Sequence, residues 1–350
     1  MTMDAPVFEV DTLANMHSHI REGNEIMGPL IDKAIEGGAD VLLAMPNTKK
    51  GLKTAAEVVD YTEKAKRLVP EGRTMHFIPT MLGTEDTPLD EIDRAVDAGI
   101  FDIKFLPYLR TMQSHNGVRH YGRLLPLVKR CGLRKMRTHW HPEHPWMKFD
   151  NRDAEFAFLP ILDMFLNETD VVIISEHGSD ARCIPFWKEM AESGRFYVTL
   201  TAHHILTNED DAFGDVRAVC KPPIKTRRDM HDLVRLITED HDWVMAGGDD
   251  APHDAKTKHT DEGGCSCGDY TAPSLLALYA HALPHLLDYK GSSTFVHFTS
   301  GNARKLYGLP RPKTLKLRFE DFEIPKSYET GPWTVMPFWA GRTIKFQLEK

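Results

Sequence analysis

The feature that most constrains the fold is an alternation. Short apolar, β-branched runs recur along the chain, and amphipathic helical stretches lie between most of them. The candidate strands are Leu13–His19, Asp40–Met45, Met75–Met81, Phe101–Leu106, Arg134–His139, Val171–His177, Phe196–Thr201 and Trp243–Asp249. Helical periodicity marks Ala55–Leu68, Leu89–Ala98, Gly122–Cys131 and Thr226–Thr238. A helix between two strands carries the chain back to the same end of the sheet, so such strands pair in parallel. Eight of these units predict an α/β protein of the closed (β/α)8, or TIM-barrel, type. An open doubly wound sheet is the alternative, disfavoured because no glycine-rich phosphate turn follows the first run. The chain has 350 residues, against about 250 for a bare barrel. The expectation is therefore a single barrel domain over residues 1–350, with Asp321–Lys350 as a small C-terminal strand extension.

One run resists this reading. Arg134-Lys135-Met136-Arg137-Thr138-His139 is too basic for a buried parallel strand, which should be nearly continuous in apolar residues. It is kept because of the histidine that ends it. Composition narrows the function classes. The formal charge of −8 comes without a basic stripe, which argues against a nucleic-acid surface. No apolar run is long enough to span a bilayer, and Met1–Val10 lacks the basic and apolar regions of a signal peptide. Five cysteines, an odd and sparse set, do not read as a disulfide framework. A cytoplasmic location is expected.

Histidine is abundant, with 18 residues, and several fall at the carboxyl ends of predicted strands, where the active sites of such barrels lie. His17 and His19 close the first strand and share a face, so both can point at one ion in the barrel mouth. His139, His177 and Asp249 close the fifth, sixth and eighth. Four histidines and an aspartate suit zinc or a similar ion. Any one of them could be a core residue; five at strand ends are much harder to place by chance. Lys104 ends the fourth strand among apolar neighbours, where an unpaired ammonium is costly. It either snorkels to the mouth or reacts with CO2 to form a carbamate able to bridge two metals. Asp249–Gly268, rich in Gly, Asp and His, reads as a functional loop.

His17-Ser18-His19-Ile20-Arg21-Glu22-Gly23, Met45-Pro46-Asn47, Ile103-Lys104, Glu176-His177 and Gly248-Asp249-Asp250-Ala251-Pro252-His253 together resemble the amidohydrolase superfamily. They are similar in particular to the shorter, single-function dihydroorotases of bacteria and fungi. The likeness runs nearly end to end, through Ser114-His115-Asn116-Gly117-Val118, Cys265–Pro273, Leu306-Tyr307-Gly308-Leu309-Pro310 and Val335-Met336-Pro337-Phe338-Trp339-Ala340-Gly341. The resemblance implies two zinc ions. His17, His19 and Asp249 would hold the first, His139 and His177 the second, and a carboxylated Lys104 would bridge them. It implies that Arg21, Asn47 and His253 hold a substrate carboxylate, that Thr111 and Gly268 add substrate contacts, and that Asp249 moves the proton. Arg21 suits a carboxylate on its own chemistry, since its planar fork matches one. The implied reaction is reversible hydrolysis of dihydroorotate to carbamoyl aspartate in pyrimidine synthesis, by a homodimer acting on a small molecule.

The chain departs from that pattern in three places. Strand five, which in the family ends in a His-Gly-Glu step, here reads Arg137-Thr138-His139-Trp140-His141-Pro142-Glu143. His139 and His141 share a face, and His139 is taken as the ligand from the match around Phe149-Asp150. The lid Pro107–Gln113 keeps only Thr111 of an expected threonine pair, and Arg110 adds a charge. In Cys220-Lys221-Pro222-Pro223 a lysine replaces an apolar residue. Cys265-Ser266-Cys267 lacks zinc-site spacing, and His203-His204 are read as core or supporting histidines rather than a third metal site. Two rival readings remain: a neighbouring cyclic amidase acting on a hydantoin-like or dihydropyrimidine-like ring, and an inactive scaffold.

Overall fold

The computed structural model describes residues 5–112, 114–258, 266–287 and 293–349. Eight parallel strands form one sheet: β1 (Leu13–Ser18), β2 (Ala39–Ala44), β3 (His76–Gly83), β4 (Asp102–Phe105), β5 (Arg137–Trp140), β6 (Val172–Ser175), β7 (Phe196–Leu200) and β8 (Val244–Ala246). Each pairs with the next in chain order. The seam between first and last closes just beyond β8, where Ser18 bridges Asp250 in parallel and the His19 amide donates to the Asp250 carbonyl at 2.8 Å. Asn15 spans the same seam. Its Nδ2 donates to the Asp250 carboxylate at 2.7 Å, and its Oδ1 accepts from the Gly248 amide at 2.7 Å. The predicted α/β barrel is the observed fold.

Helices Asn24–Glu36, Ala55–Arg67, Leu89–Asp97, Leu125–Leu133, Leu159–Glu168, Ile184–Ala191 and Arg227–Thr238 lie between the strands. Their starts are written in the sequence. Thr54 and Glu57, and likewise Thr226 and Asp229, form reciprocal capping boxes. The helices at Leu125, Leu159 and Ile184 carry proline in their first turn, where its missing N–H costs nothing. Ala55–Arg67 buries Ala55, Val58, Tyr61, Thr62 and Ala65, an i, i+3, i+4 stripe that faces the sheet. The helix expected from Gly122 opens instead as a 3-10 turn, Tyr121–Leu124.

The barrel interior has two unlike halves. One is an apolar cluster of Ala14, Met16, Val41, Leu43, Met45, Ile78, Ile174 and Met245, with Ala303 against it. The other, at β4 and β5, is ionic. Asp102 pairs in register with Arg137, and Lys104 with His139. Arg137 donates to Asp102 through Nε at 2.9 Å and through a terminal nitrogen at 2.7 Å. Its guanidinium lies 4.1 Å from the centre of the Tyr307 ring. Burial opposes ionisation of Asp102, but Arg137 and His139 hold its carboxyl below the usual range.

This accounts for the basic strand five. Its strand begins at Arg137, not Arg134: Arg134 caps the preceding helix, and Lys135 occupies a left-handed turn with φ 56°. The only basic side chains on the strand itself point at carboxylates. The terminal layer is also larger than expected. Thr314–Glu323 pairs antiparallel with both Val7–Asp11 and Thr343–Leu348, and Tyr328–Thr330 forms a hairpin with Trp333–Val335. Among the described residues no helix is long and apolar enough to cross a membrane.

Candidate active site

The β1 register slips against β2 between Asn15 and Ser18, and beyond that irregularity both His17 and His19 reach Asp249. His17 Nε2 lies 3.2 Å and His19 Nε2 3.5 Å from Asp249 Oδ1. One donor atom from each of the three residues falls within 4.8 Å of the other two. Bonds of about 2.0–2.2 Å to a tetrahedral ion give edges of roughly 3.3–3.5 Å, so this set is spaced to hold one. Asp249 and His177 both take positive φ, 46° and 42°. Such backbone persists in non-glycine residues only where neighbours enforce it. For His177 one enforcer is Thr199, whose hydroxyl accepts from the His177 amide at 2.8 Å.

His177 packs against the first set, its ring centre 5.0 Å from that of His17 and 4.5 Å from that of His141. Lys104 Nζ and His177 Nδ1 are buried without a hydrogen-bond partner. Lys104 is 1% exposed. Burial pushes its ammonium down to about 8, with Glu176 and Asp249 opposing the shift. Burial, and then Lys104, lowers His17 to about 4. His19 and His177 are held well below the normal histidine range, chiefly by burial. Neutral imidazoles and a neutral amine are the forms that bind a metal or CO2.

On strand five the two histidines part company. Both ring nitrogens of His139 are engaged by carboxylates: Nδ1 by Glu176 at 2.5 Å and Nε2 by Asp102 at 2.9 Å. Burial alone would lower its pKa, but the bonds to Asp102 and Glu176 outweigh that and raise it. His139 thus lies in the ionic half of the interior. His141, beyond the strand end, packs edge-on to His177. Its Nε2 meets Glu143 at 2.7 Å, and its pKa is lowered, first by burial. The step His141-Pro142-Glu143 therefore occupies the strand-end position, which spacing alone could not decide.

Glu176 underlies the whole arrangement. It accepts from Thr199 Oγ1 at 2.6 Å and bonds His17 Nδ1 at 2.8 Å as well as His139. Burial opposes its ionisation, yet His17, Lys104 and His139 hold it well below the usual carboxylate range. Sequence reasoning finds Glu176 only as the neighbour of His177. Its signal, a carboxylate at a strand end facing a histidine, is present but has no partner until the fold supplies one.

Above these groups lies a pocket lined by His19, Arg21, Asn47, Thr111, Met112, Lys221, Asp249, Ala251, His253, Cys267 and Gly268. Every substrate-contact residue expected from sequence is therefore at one place. Arg21 Nε donates to the Pro252 carbonyl at 2.9 Å, and a terminal nitrogen lies 3.2 Å from His253 Nε2. Burial lowers Arg21 to about 10, which leaves it a cation at neutral pH. Gly268 has φ 144°, and a Cβ there would stand 2.5 Å from that of Ala251, so no larger residue fits. Gln113 and Cys265 lie outside the described residues.

Arg110 is not a solvated charge on the lid. It is 4% exposed, and its guanidinium donates to the carbonyls of His144, Trp146 and Phe149 and to Asn151 Oδ1 at 2.5–3.1 Å. It fastens the loop after β4 to the loop after β5. The Tyr108 amide donates to the Val118 carbonyl at 3.0 Å, closing the base of the lid.

No family model matches the chain. It is 29% identical over 357 residues to the dihydroorotase of Acidovorax sp. strain JS42, covering 99% of each. It is 28% identical over 342 residues to the mitochondrial dihydroorotase of Oryza sativa subsp. japonica, covering 94% of this chain and 81% of that one. In structure it is similar to dihydroorotase from Saccharomyces cerevisiae, solved in complex with 5-fluoroorotic acid, with TM-score 0.88 at 24% identity over 98% of both chains. The L-hydantoinase of Arthrobacter aurescens shares the fold at lower similarity, TM-score 0.81 and 14% identity, over 97% of this chain and 83% of that one. With likeness along its whole length and the same barrel, this chain is a homologue of proteins named dihydroorotase.

Proposed function

We infer that the chain is a metal-dependent hydrolase of the cyclic amide of (S)-dihydroorotate, working reversibly with N-carbamoyl-L-aspartate in pyrimidine synthesis. One juxtaposition carries this reading. A buried set of histidines, Asp249 and partnerless Lys104 adjoins a pocket whose other wall presents the Arg21 cation. Hydrolytic groups at one end and a carboxylate receptor at the other match a small ring bearing both an amide and a carboxylate.

His17, His19 and Asp249 would hold one divalent ion. His141, rather than His139, would join His177 at a second, because both nitrogens of His139 are taken by carboxylates. Zinc suits these nitrogen and oxygen donors. Between the two sets, neutral Lys104 would add CO2. A nitrogen–carbon bond forms, one amine proton leaves to solvent, and the carbamate carries one negative charge over two oxygens. Ions bound there supply Lewis acidity and a water of lowered pKa.

The chain's own groups do the rest. Arg21, with Asn47 and His253, holds the ring carboxylate, while Thr111 and Gly268 close over the ring. Asp249 takes the attacking water's proton as the carbon–oxygen bond forms and returns it to the ring nitrogen as the carbon–nitrogen bond breaks. Glu176 fixes the His17 ring, whose Nδ1 it bonds, so that Nε2 faces Asp249. A homodimeric state and a cytoplasmic location complete the assignment, and sedimentation of the purified chain tests the first.

Lys221 and Met112 in the pocket wall favour a second reading, a neighbouring cyclic amidase with a different ring. The deciding experiment is hydrolysis of L-dihydroorotate by the zinc-loaded protein beside hydantoin and dihydrouracil. Preference for dihydroorotate, lost on chelation, supports the assignment. Turnover of a control alone would move the chain to the second reading.

A further inference from the structure

Behind the pocket, on the β7 side, four buried side chains converge that the proposed reaction does not use. His203 and His204 lie on the short helix Ala202–Leu206 after β7. Cys220 comes from the loop before Lys221. Asp269 follows Gly268 and bridges Asp250 in parallel. Their exposures are 0%, 3%, 3% and 1%. One donor atom each from His203, His204 and Cys220 falls within 4.8 Å of the other two.

We propose that His203, His204, Cys220 and Asp269 form a third metal site, for a zinc-like divalent ion, separate from the two ions assigned above. The first support is unmet bonding. Both ring nitrogens of His203 and both carboxylate oxygens of Asp269 are buried without a nitrogen or oxygen hydrogen-bond partner, and the Cys220 thiol lies against the Asp269 carboxylate. Native proteins avoid that for donors and acceptors that have nothing further to bind. The two groups face each other at 3.8 Å, His203 Nδ1 to Asp269 Oδ2. That is too long for a hydrogen bond and close to an edge of a metal tetrahedron.

The second support is the rest of the set. Cys220 Sγ lies 3.9 Å from His204 Nε2, against roughly 3.5 Å for a sulfur–nitrogen edge around zinc. His204 Nδ1 meets Thr201 Oγ1 at 2.8 Å, the outer hydrogen bond that orients a ligating imidazole; its Nε2 now meets the neutral Pro222 carbonyl at 3.1 Å, a bond that binding would exchange for the metal. Two imidazoles, a thiol and a carboxylate are a donor set that suits zinc. Cys220 Sγ–H now donates to the Pro222 carbonyl at 3.1 Å; on binding, that proton passes to solvent as the sulfur–metal bond forms. Lys258, the cation acting on His203 and Asp269, has its Nζ on the carbonyls of Val216 and Val219. It therefore leaves the Asp269 oxygens open. Cys220 and Asp269 are the chain neighbours of Lys221 and Gly268, both of which line the pocket. An ion here would pin the pocket's far wall to the end of β7.

Cobalt separates this site from the binuclear one, whose donors are all nitrogen and oxygen. The full chain, stripped by chelator and titrated with Co(II), should develop a near-ultraviolet sulfur-to-cobalt charge-transfer band. Cys220→Ser should lose the band and one metal equivalent while its circular dichroism stays unchanged. His203→Asn should lose the same equivalent, and Cys267→Ser should keep the band. A cobalt-saturated wild type without the band, or a band that follows Cys267, overturns the proposal. The wild-type spectrum decides even if a variant fails to fold, and hydrolytic activity enters neither outcome.

Discussion

Glu176 touches two histidines that lie on different strands and do different things. It orients His17 toward the mouth and holds His139 in the interior. That division makes the two strand-five histidines separable by experiment. His141→Asn is expected to lower metal content by about one equivalent and to abolish turnover. His139→Asn should keep both equivalents at the mouth and lose stability instead, because it strips partners from buried Asp102 and Glu176. Equal metal loss in both variants, read by elemental analysis, would put His139 back among the ligands. Asp249→Asn removes the proposed proton carrier, and a loss of about 10²–10⁴ in kcat is expected. An Asn variant with full metal content and near-normal kcat would end that role.

At the scale of elements, the lid depends on one arginine. Arg110→Ala leaves three backbone carbonyls and Asn151 without their donor, and frees the loop after β4 from the loop after β5. About a tenfold rise in KM for the ring is expected, with faster proteolytic cleavage between Pro107 and Val118 and little change in Tm. An unchanged cleavage rate would show that the lid is held by something else. Arg110 also shows where sequence reading stops. Its acceptors are main-chain carbonyls some 35–40 residues on, and carbonyls leave no mark in a sequence. The eight strands and most helix starts are legible because period, caps and first-turn prolines are local. Strand five is misread at its start because Arg134 and Lys135 belong to a helix cap and a turn. Sequence cannot separate His139 from His141, because two residues apart on a strand face one way. Only Asp102, 37 residues from His139, shows which of them the barrel interior keeps. By contrast, His17, His19, Arg21, Asn47 and Asp249 are legible as candidates because each ends a strand or opens the loop after one.

At the scale of the whole molecule, stability carries a signature of acids buried without a full counter-charge. Glu155, 1% exposed, accepts from the Ser179 amide at 3.0 Å. Burial raises its carboxyl to about 7, against 4.5 for a glutamate free in water, with Lys225 opposing. Between those two values the folded chain binds more protons than the unfolded one. Stability therefore falls as pH rises through that window, by up to roughly 3 kcal/mol for this group. Denaturation of wild type and Glu155→Gln at about pH 5 and about pH 8 should show the variant gaining on wild type at the higher pH. A constant difference between them would exclude Glu155 as a source of pH dependence.

The divided barrel interior has an evolutionary consequence. Asp102, Arg137 and His139 neutralise one another where water cannot, and removing one partner of a buried pair typically costs about 3–5 kcal/mol while replacing the whole set with apolar residues can cost nothing. Drift one residue at a time is therefore blocked, and descendants of this chain must keep the trio or exchange it together. Across its lineage those positions, with Tyr307 beneath them, should change as a single inherited character, marking which relatives share this interior and which reached the same chemistry over a greasy one.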